Sequence, residues 1–308
     1  MPAPASALPS QISANVAPVW TPEIDPDLLF SHVASLAYER VSEADRDRAR
    51  SYILQTLEEY GFSPISIPFD GGVNIFAERP GTDADAGAIL VGAHYDTVPG
   101  SPGADDNATG VATALEVARL LGTRATPRSL QLVFFDLEEA GLLGSLAFAT
   151  SEADPEILRG AIVLDMLGFA CQTSGCQTYP EGLPSERLPG RGDFLGILGD
   201  AEHLPLLKAF VSSSDLPPVV SVPVPLRGAL TPNVLRSDHA PFWFQGIGAV
   251  MVTDTANFRN PNYHQPSDLP ETLDRPFFNG AAQIVVNATT ALLESRGTLA
   301  TPTVSSDR

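Results

Sequence analysis

The chain has 308 residues, 44% of them hydrophobic, which is enough for a full core and large for one domain without exceeding it. Lys and Arg number 18 against 37 Asp and Glu, a net charge of −19 that argues against nucleic acid and anionic membranes as partners. No stretch is apolar for long enough to span a bilayer.

In chain order, residues 1–24 are rich in Pro, Ala and Ser, show no period, and are expected to form a loosely docked arm. The first nine residues hold neither a basic stretch nor a continuous apolar one, so they do not read as a secretory leader. That favours the cytoplasm, with a secreted or periplasmic location open if a leader has been removed. The folded domain is expected over residues 25–296, and a flexible tail over 297–308.

Ser42 followed by Asp45 reads as a helix start. Behind it Ala49, Tyr52, Ile53, Leu57 and Tyr60 recur at helical spacing until Gly61. Short extended runs follow at 65–69 and 74–78. The core strands are continuous apolar runs at 88–94, 130–135, 161–164 and 249–252. Runs without alternation mean burial on both faces, as in a sheet covered by helices. Helical patterns lie between and after them, at 111–121, 204–213 and 277–293. The expectation is a single α/β domain with a mixed, mostly parallel central sheet flanked by helices. Residues 167–194 and 214–236 are long, irregular and rich in Pro and Gly, and are expected to wall a cleft. Cys171 and Cys176 fit either a local disulfide or two free thiols.

Ligands of such folds bind beyond the carboxyl ends of the strands, where several metal-competent side chains collect. His94 ends one strand, and Asp96, two positions on, can fix its tautomer. Asp105, Asp106 and Asn107 form a loop ahead of a helix. One Asp can cap a helix, but this cluster exceeds that need; Asp105 is the choice for a carboxylate bridging two ions. Glu138 and Glu139 follow a buried strand, one suited to moving a proton and the other to holding a metal. Asp165 closes an apolar run, where a carboxylate is costly unless paired. His264 follows Tyr263 in a polar loop. Two imidazoles and three carboxylates suit a pair of divalent ions. His32 and His203 are expected to be solvated. Phe169, Phe242, Trp243 and Phe258 are candidates for an apolar pocket wall, with core packing an equal explanation.

The segments Gly92-Ala-His-Tyr-Asp-Thr97, Gly103-Ala-Asp-Asp-Asn-Ala-Thr-Gly110, Glu138-Glu-Ala-Gly-Leu-Leu-Gly-Ser145, Asp165-Met-Leu-Gly168, Ser237-Asp-His-Ala-Pro-Phe242 and Tyr263-His-Gln-Pro-Ser-Asp268 resemble the M28 family of zinc peptidases, over roughly residues 40–295. The resemblance implies an aminopeptidase with two zinc ions, for which cobalt or manganese can substitute, acting on peptides with a free N-terminus. It implies His94 and Asp165 on one ion, Glu139 and His264 on the other, Asp105 bridging, and Glu138 as general base. Tyr263 would assist the developing oxyanion, and Arg236 would lie near the substrate's amino end. Asp238 and His239 are expected to be structural. Alternatives are a glutaminyl cyclase-like transferase and a non-catalytic binding module on the same scaffold. Side-chain preference and oligomeric state are not readable.

Overall fold

The computed structural model describes residues 21–180 and 188–301. One eight-stranded sheet organises them. Its strands are β1 (Ile65–Phe69), β2 (Gly72–Arg79), β3 (Ala88–His94), β4 (Ser129–Phe135), β5 (Leu158–Leu164), β6 (Leu195–Asp200), β7 (Val219–Val224) and β8 (Ala249–Thr253), in the spatial order β1-β2-β4-β3-β5-β8-β6-β7. The four central strands, β4-β3-β5-β8, are mutually parallel. β2 and β6 join them antiparallel on either side. The mixed α/β sheet expected from the apolar runs is therefore present.

Residue alternation along the central strands feeds two cores. Ile89, Val91 and Ala93 of β3 and Leu130, Leu132 and Phe134 of β4 pack into one. That side is covered by α1 (Pro26–Leu36), α2 (Glu43–Glu59), α3 (Gly110–Leu121) and α7 (Arg275–Glu294). Ala88 and Leu90 of β3 and Val133 and Phe135 of β4 face the other, with Phe148 from α4 (Leu143–Ser151) and Phe242 and Trp243 from α6 (Ala240–Phe244). All seven residues of β3 are buried, as its unbroken apolar run requires. The remaining helix, α5 (Leu204–Lys208), is shorter than the 204–213 segment read from periodicity.

Local chemistry accounts for the helix boundaries. Asp25 caps α1 by accepting from the amides of Asp27 and Leu28, with Pro26 as the first helical residue. Ser42 caps α2 through the Asp45 amide. Asp274 caps α7 through the Phe277 amide. Strands β6 and β7 carry no clear apolar signal: Gly196 and Gly199 interrupt the first, and Pro223 sits in the second, which a sheet edge tolerates.

Several expectations need correction. The described part of the C-terminal segment, 297–301, is tied down: Thr301 donates to the Glu202 carbonyl and Leu299 is buried. The described end of the N-terminal arm is also docked, Pro22 and Ile24 both bonding to the Gln283 amide. Residues 1–20 and 302–308 lie outside the described residues. His32 is buried rather than solvated, its ring nitrogens paired with the Tyr52 and Tyr60 hydroxyls at 2.7 and 3.1 Å. These partners, Tyr52 on α2 and Tyr60 just past its end, lie 20 and 28 residues away in sequence. Of the two states left open for Cys171 and Cys176, the structure has the disulfide.

Candidate metal centre

The carboxyl ends of β3, β4 and β5 point into one cleft, and each contributes through the residues that follow it. His94 ends β3, Glu138 and Glu139 follow β4, and Asp165 follows β5. Two three-donor groups result. Donor atoms of His94, Glu138 and Asp165 lie within 4.8 Å of one another, as do those of Asp106, Glu139 and His264.

Asp106 stands between the two groups. One carboxylate oxygen lies 3.4 Å from His94 Nε2 and the other 3.2 Å from His264 Nε2. His264 Nε2 also lies 3.1 Å from Glu139 Oε2, and His94 Nε2 lies 4.0 Å from Asp165 Oδ1. The sequence choice of Asp105 for the place between the two groups is corrected: Asp106 occupies it. Asp105 is turned away: Oδ1 accepts from the Gly168 amide at 2.8 Å and Oδ2 from Asn260 Nδ2 at 2.7 Å. Both oxygens are used in holding the fold, and Asp106 is left to face the cleft.

A scaffold that the sequence reading did not single out aims Asp106. Asp268 accepts the backbone amides of Asp105 and Asp106 at 2.9 and 3.0 Å. Asn107 bonds to the Leu164 carbonyl and the Met166 amide, clamping the loop to the end of β5. The peptide bond between Asp106 and Asn107 is cis. Arg40, fully buried, donates to the carbonyls of Tyr95, Pro102 and Gly103. Gly103 has φ +62°, and a Cβ there would come within 2.4 Å of the Asp106 carbonyl oxygen. The Ser267-Asp268 sequence downstream of His264 was the one available signal for this support.

Asp96 holds the glutamates. Its two oxygens accept from the amides of Glu138 and Glu139 at 3.0 and 3.1 Å, and Oδ1 lies 3.4 Å from His94 Nδ1. One carboxylate thus positions the ends of β3 and β4 together. Arg236 and Tyr263 meet at the rim, Arg236 Nη2 donating to the Tyr263 hydroxyl at 3.1 Å. The Tyr263 and His264 rings stack at 3.7 Å. Asp238 and His239 are buried behind the cleft, and His239 Nε2 pairs with the Val234 carbonyl at 2.8 Å.

The electrostatics fit missing positive charge. Burial raises the Glu138 carboxyl well above its usual range, against the pull of His94, and the charges of Asp238, Asp165 and Glu139 add to the rise. Burial likewise raises Asp165 and Glu139. His264 would be lowered by burial, but hydrogen bonds with Asp106 and Glu139 outweigh this and lift it to about 9. Glu139 Oε1 is buried without a hydrogen-bond partner. Polar atoms are not ordinarily left so. Crowded carboxylates and imidazoles, with one carboxylate oxygen left over, match the chemistry of a divalent-ion site.

Beside the centre opens a cavity of about 470 Å³. The expected irregular segments do wall it, through Tyr179 and Leu188 from the first and Val222 and Leu235 from the second. Leu198 and Met251 form its floor. Of the four aromatic candidates only Phe258 lines it; Phe242 and Trp243 are core residues.

Fold and centre together present two candidate divalent-ion groups at the carboxyl ends of an α/β sheet. Residues 74–187 match the model of peptidase family M28. The chain is 35% identical over 271 residues to the uncharacterized protein YfbL of Escherichia coli, covering 81% of this chain and 80% of that one. The chain belongs to peptidase family M28. It is also 28% identical to the aminopeptidase YwaD of Bacillus subtilis over 65% of this chain, though it spans only 40% of that relative's length. Among solved structures, an aminopeptidase from Aneurinibacillus sp. strain AM-1 superposes with a TM-score of 0.67 at 17% identity, covering 92% of this chain and 97% of that one. A Bacteroides thetaiotaomicron glutaminyl cyclase superposes with a TM-score of 0.62 at 17% identity, over 88% of this chain and 99% of that one. At these identities the likeness shows the fold alone.

Proposed function

We propose that this chain is an aminopeptidase that works with two zinc ions, removing apolar residues from peptides with a free N-terminus. The observation that carries the reading is Asp106, with one oxygen toward His94 and the other toward His264, flanked by a separate acid on each side. His94 and Asp165 would hold one ion, Glu139 and His264 the other, and Asp106 both. When bound, such a pair supplies an acidified water and a polarised carbonyl.

The chain's own residues do the rest. Glu138 faces the cleft and takes the proton of the attacking water, then returns it to the leaving amine. Asp96 fixes Glu138 in place through the backbone amide. Tyr263, held by Arg236, offers its hydroxyl to the developing oxyanion. The acids of the centre favour a substrate ammonium over a blocked amine. The aliphatic walls of the cavity favour Leu- or Phe-sized side chains over charged ones. Two complete donor groups favour this reading over a single-metal cyclase, and the placement of Glu138 among the donors favours it over a binding module.

The test is release of 4-nitroaniline from free and N-acetylated aminoacyl anilides, with chelator and zinc re-addition as controls. Free leucyl and phenylalanyl compounds should be cleaved, the acetylated ones spared, and chelation should abolish turnover. A Glu138→Gln variant should keep its metal and lose about 10²–10⁴-fold in rate. Equal cleavage of acetylated substrate, or full activity of Glu138→Gln, would refute the proposal. Cyclisation of a glutaminyl peptide without anilide cleavage would replace it.

A further inference from the structure

At the other end of the sheet, the segments that begin β3, β4, β5 and β8 meet residues 296–300. Between them lies a second cavity, of about 380 Å³. Its wall carries Arg128, Arg159, Arg296 and His203, against one acid, Asp85. This is a concentration of positive charge in a chain whose net charge is −19.

Arg128 is 1% exposed. Its Nη2 donates to the Gly297 carbonyl, but Nε and Nη1 are buried with no hydrogen-bond partner. Two other buried arginines differ. Arg40 and Arg259 each engage all three guanidinium nitrogens. Idle charged donors are costly to bury, and proteins ordinarily satisfy them. Arg159 compounds the cost. Burial lowers the Arg128 pKa first, and the neighbouring Arg159 charge lowers it further, with no acid acting against them. Gly87, at φ +77°, lets Arg159 lie close, since a Cβ there would come within 2.7 Å of Arg159 Nε.

The nearby acids are already used or exposed. Asp83 pairs with Arg296, Asp200 pairs with His203 at 2.7 Å, and Asp85 is exposed at the rim. Among the described residues, none supplies the anion that Arg128 and Arg159 lack.

The geometry points to a binding site for a small oxyanion of the phosphate class in this cavity, held by Arg128 and Arg159 and separate from the metal centre. Guanidinium groups suit tetrahedral oxyanions, which accept several charge-assisted hydrogen bonds at once. Two of them without a partner favour a doubly charged ligand over a singly charged one. A bound anion would join the starts of β4 and β5 to the segment after α7, through Arg128 and its bond to Gly297. Its effect is stabilisation of the native state by mass action.

The test uses the full zinc-loaded chain in chloride buffer and inorganic phosphate as the probe. Thermal unfolding and calorimetric titration are run on the wild type, on Arg159→Gln, whose side chain is on the surface, and on Arg128→Met. Phosphate should raise the wild-type Tm and bind saturably. In Arg159→Gln that binding should weaken about tenfold or more, and in Arg128→Met it should vanish. Phosphate at the metal centre would act on all three proteins alike, and inhibition of anilide cleavage reads it separately. An equal Tm rise in the wild type and Arg159→Gln would overturn the inference. So would the absence of saturable binding in the wild type up to about 10 mM, far above the Kd of an ordinary specific site.

Discussion

Asp106 directs its two oxygens at two imidazoles, and Asp105, its neighbour, directs both of its oxygens at the protein's own amides. The difference predicts opposite outcomes from the same chemical change. Asp106→Asn should lose bound metal and most activity. Asp105→Asn should keep its metal and lose about 1–3 kcal/mol of stability, the cost of a disturbed buried hydrogen bond. Metal analysis with thermal unfolding of both variants checks this; metal loss confined to Asp105→Asn would restore the sequence choice. That choice could not be made from the sequence. Both residues sit in the same glycine-flanked loop, and what turns one outward is Asp268, remote in the chain, accepting both amides. The positions of His94, Glu138, Glu139 and Asp165 were legible because each lies at or within a few residues of the end of a strand with an apolar run.

At the scale of the element, the loop after β4 is held by charge. Asp136 is fully buried, with Arg46 Nε at 2.9 Å and Arg50 Nη1 at 3.4 Å, both from α2. Its carboxylate also accepts the Val73 and Leu137 amides, each at 3.0 Å. Removing one partner of a buried pair strands the other. Asp136→Ala should therefore cost about 3–5 kcal/mol, read as a fall in Tm or in the denaturant midpoint. A loss below about 1 kcal/mol would show that Glu43 and Asp47 satisfy both arginines without it. α2 was visible in the sequence through its cap and its periodicity; its role as the anchor of the glutamate loop was not, because periodicity does not say that Arg46 and Arg50 turn inward onto Asp136. β6 and β7 stayed hidden for a different reason. Their glycines and proline break the apolar pattern, and those strands form part of the wall of the cavity beside the candidate metal centre.

At the scale of the whole molecule, buried histidines contribute to the response to acid. Burial pushes His239 down to about 4 and also lowers His32. Between an ordinary value near 6.5 and that lowered one, the unfolded chain binds protons that the native state refuses. Stability contributed by His239 is thus complete above about pH 6.5 and is lost as pH falls toward 4, by roughly 3 kcal/mol at most. Denaturant unfolding of His239→Gln at pH 7.5 and 5 checks the sign: the variant should lose less stability than the wild type over that interval. Equal losses would show that His239 is not the group responsible.

The central claim is that one carboxylate joins two ions at the carboxyl ends of the parallel strands. Anomalous diffraction at the zinc edge, from crystals grown with zinc, addresses it directly. The account predicts two peaks, one against His94 and Asp165 and one against Glu139 and His264, with Asp106 touching both. A single peak in a fully loaded crystal, or two peaks bridged by another residue, would contradict it.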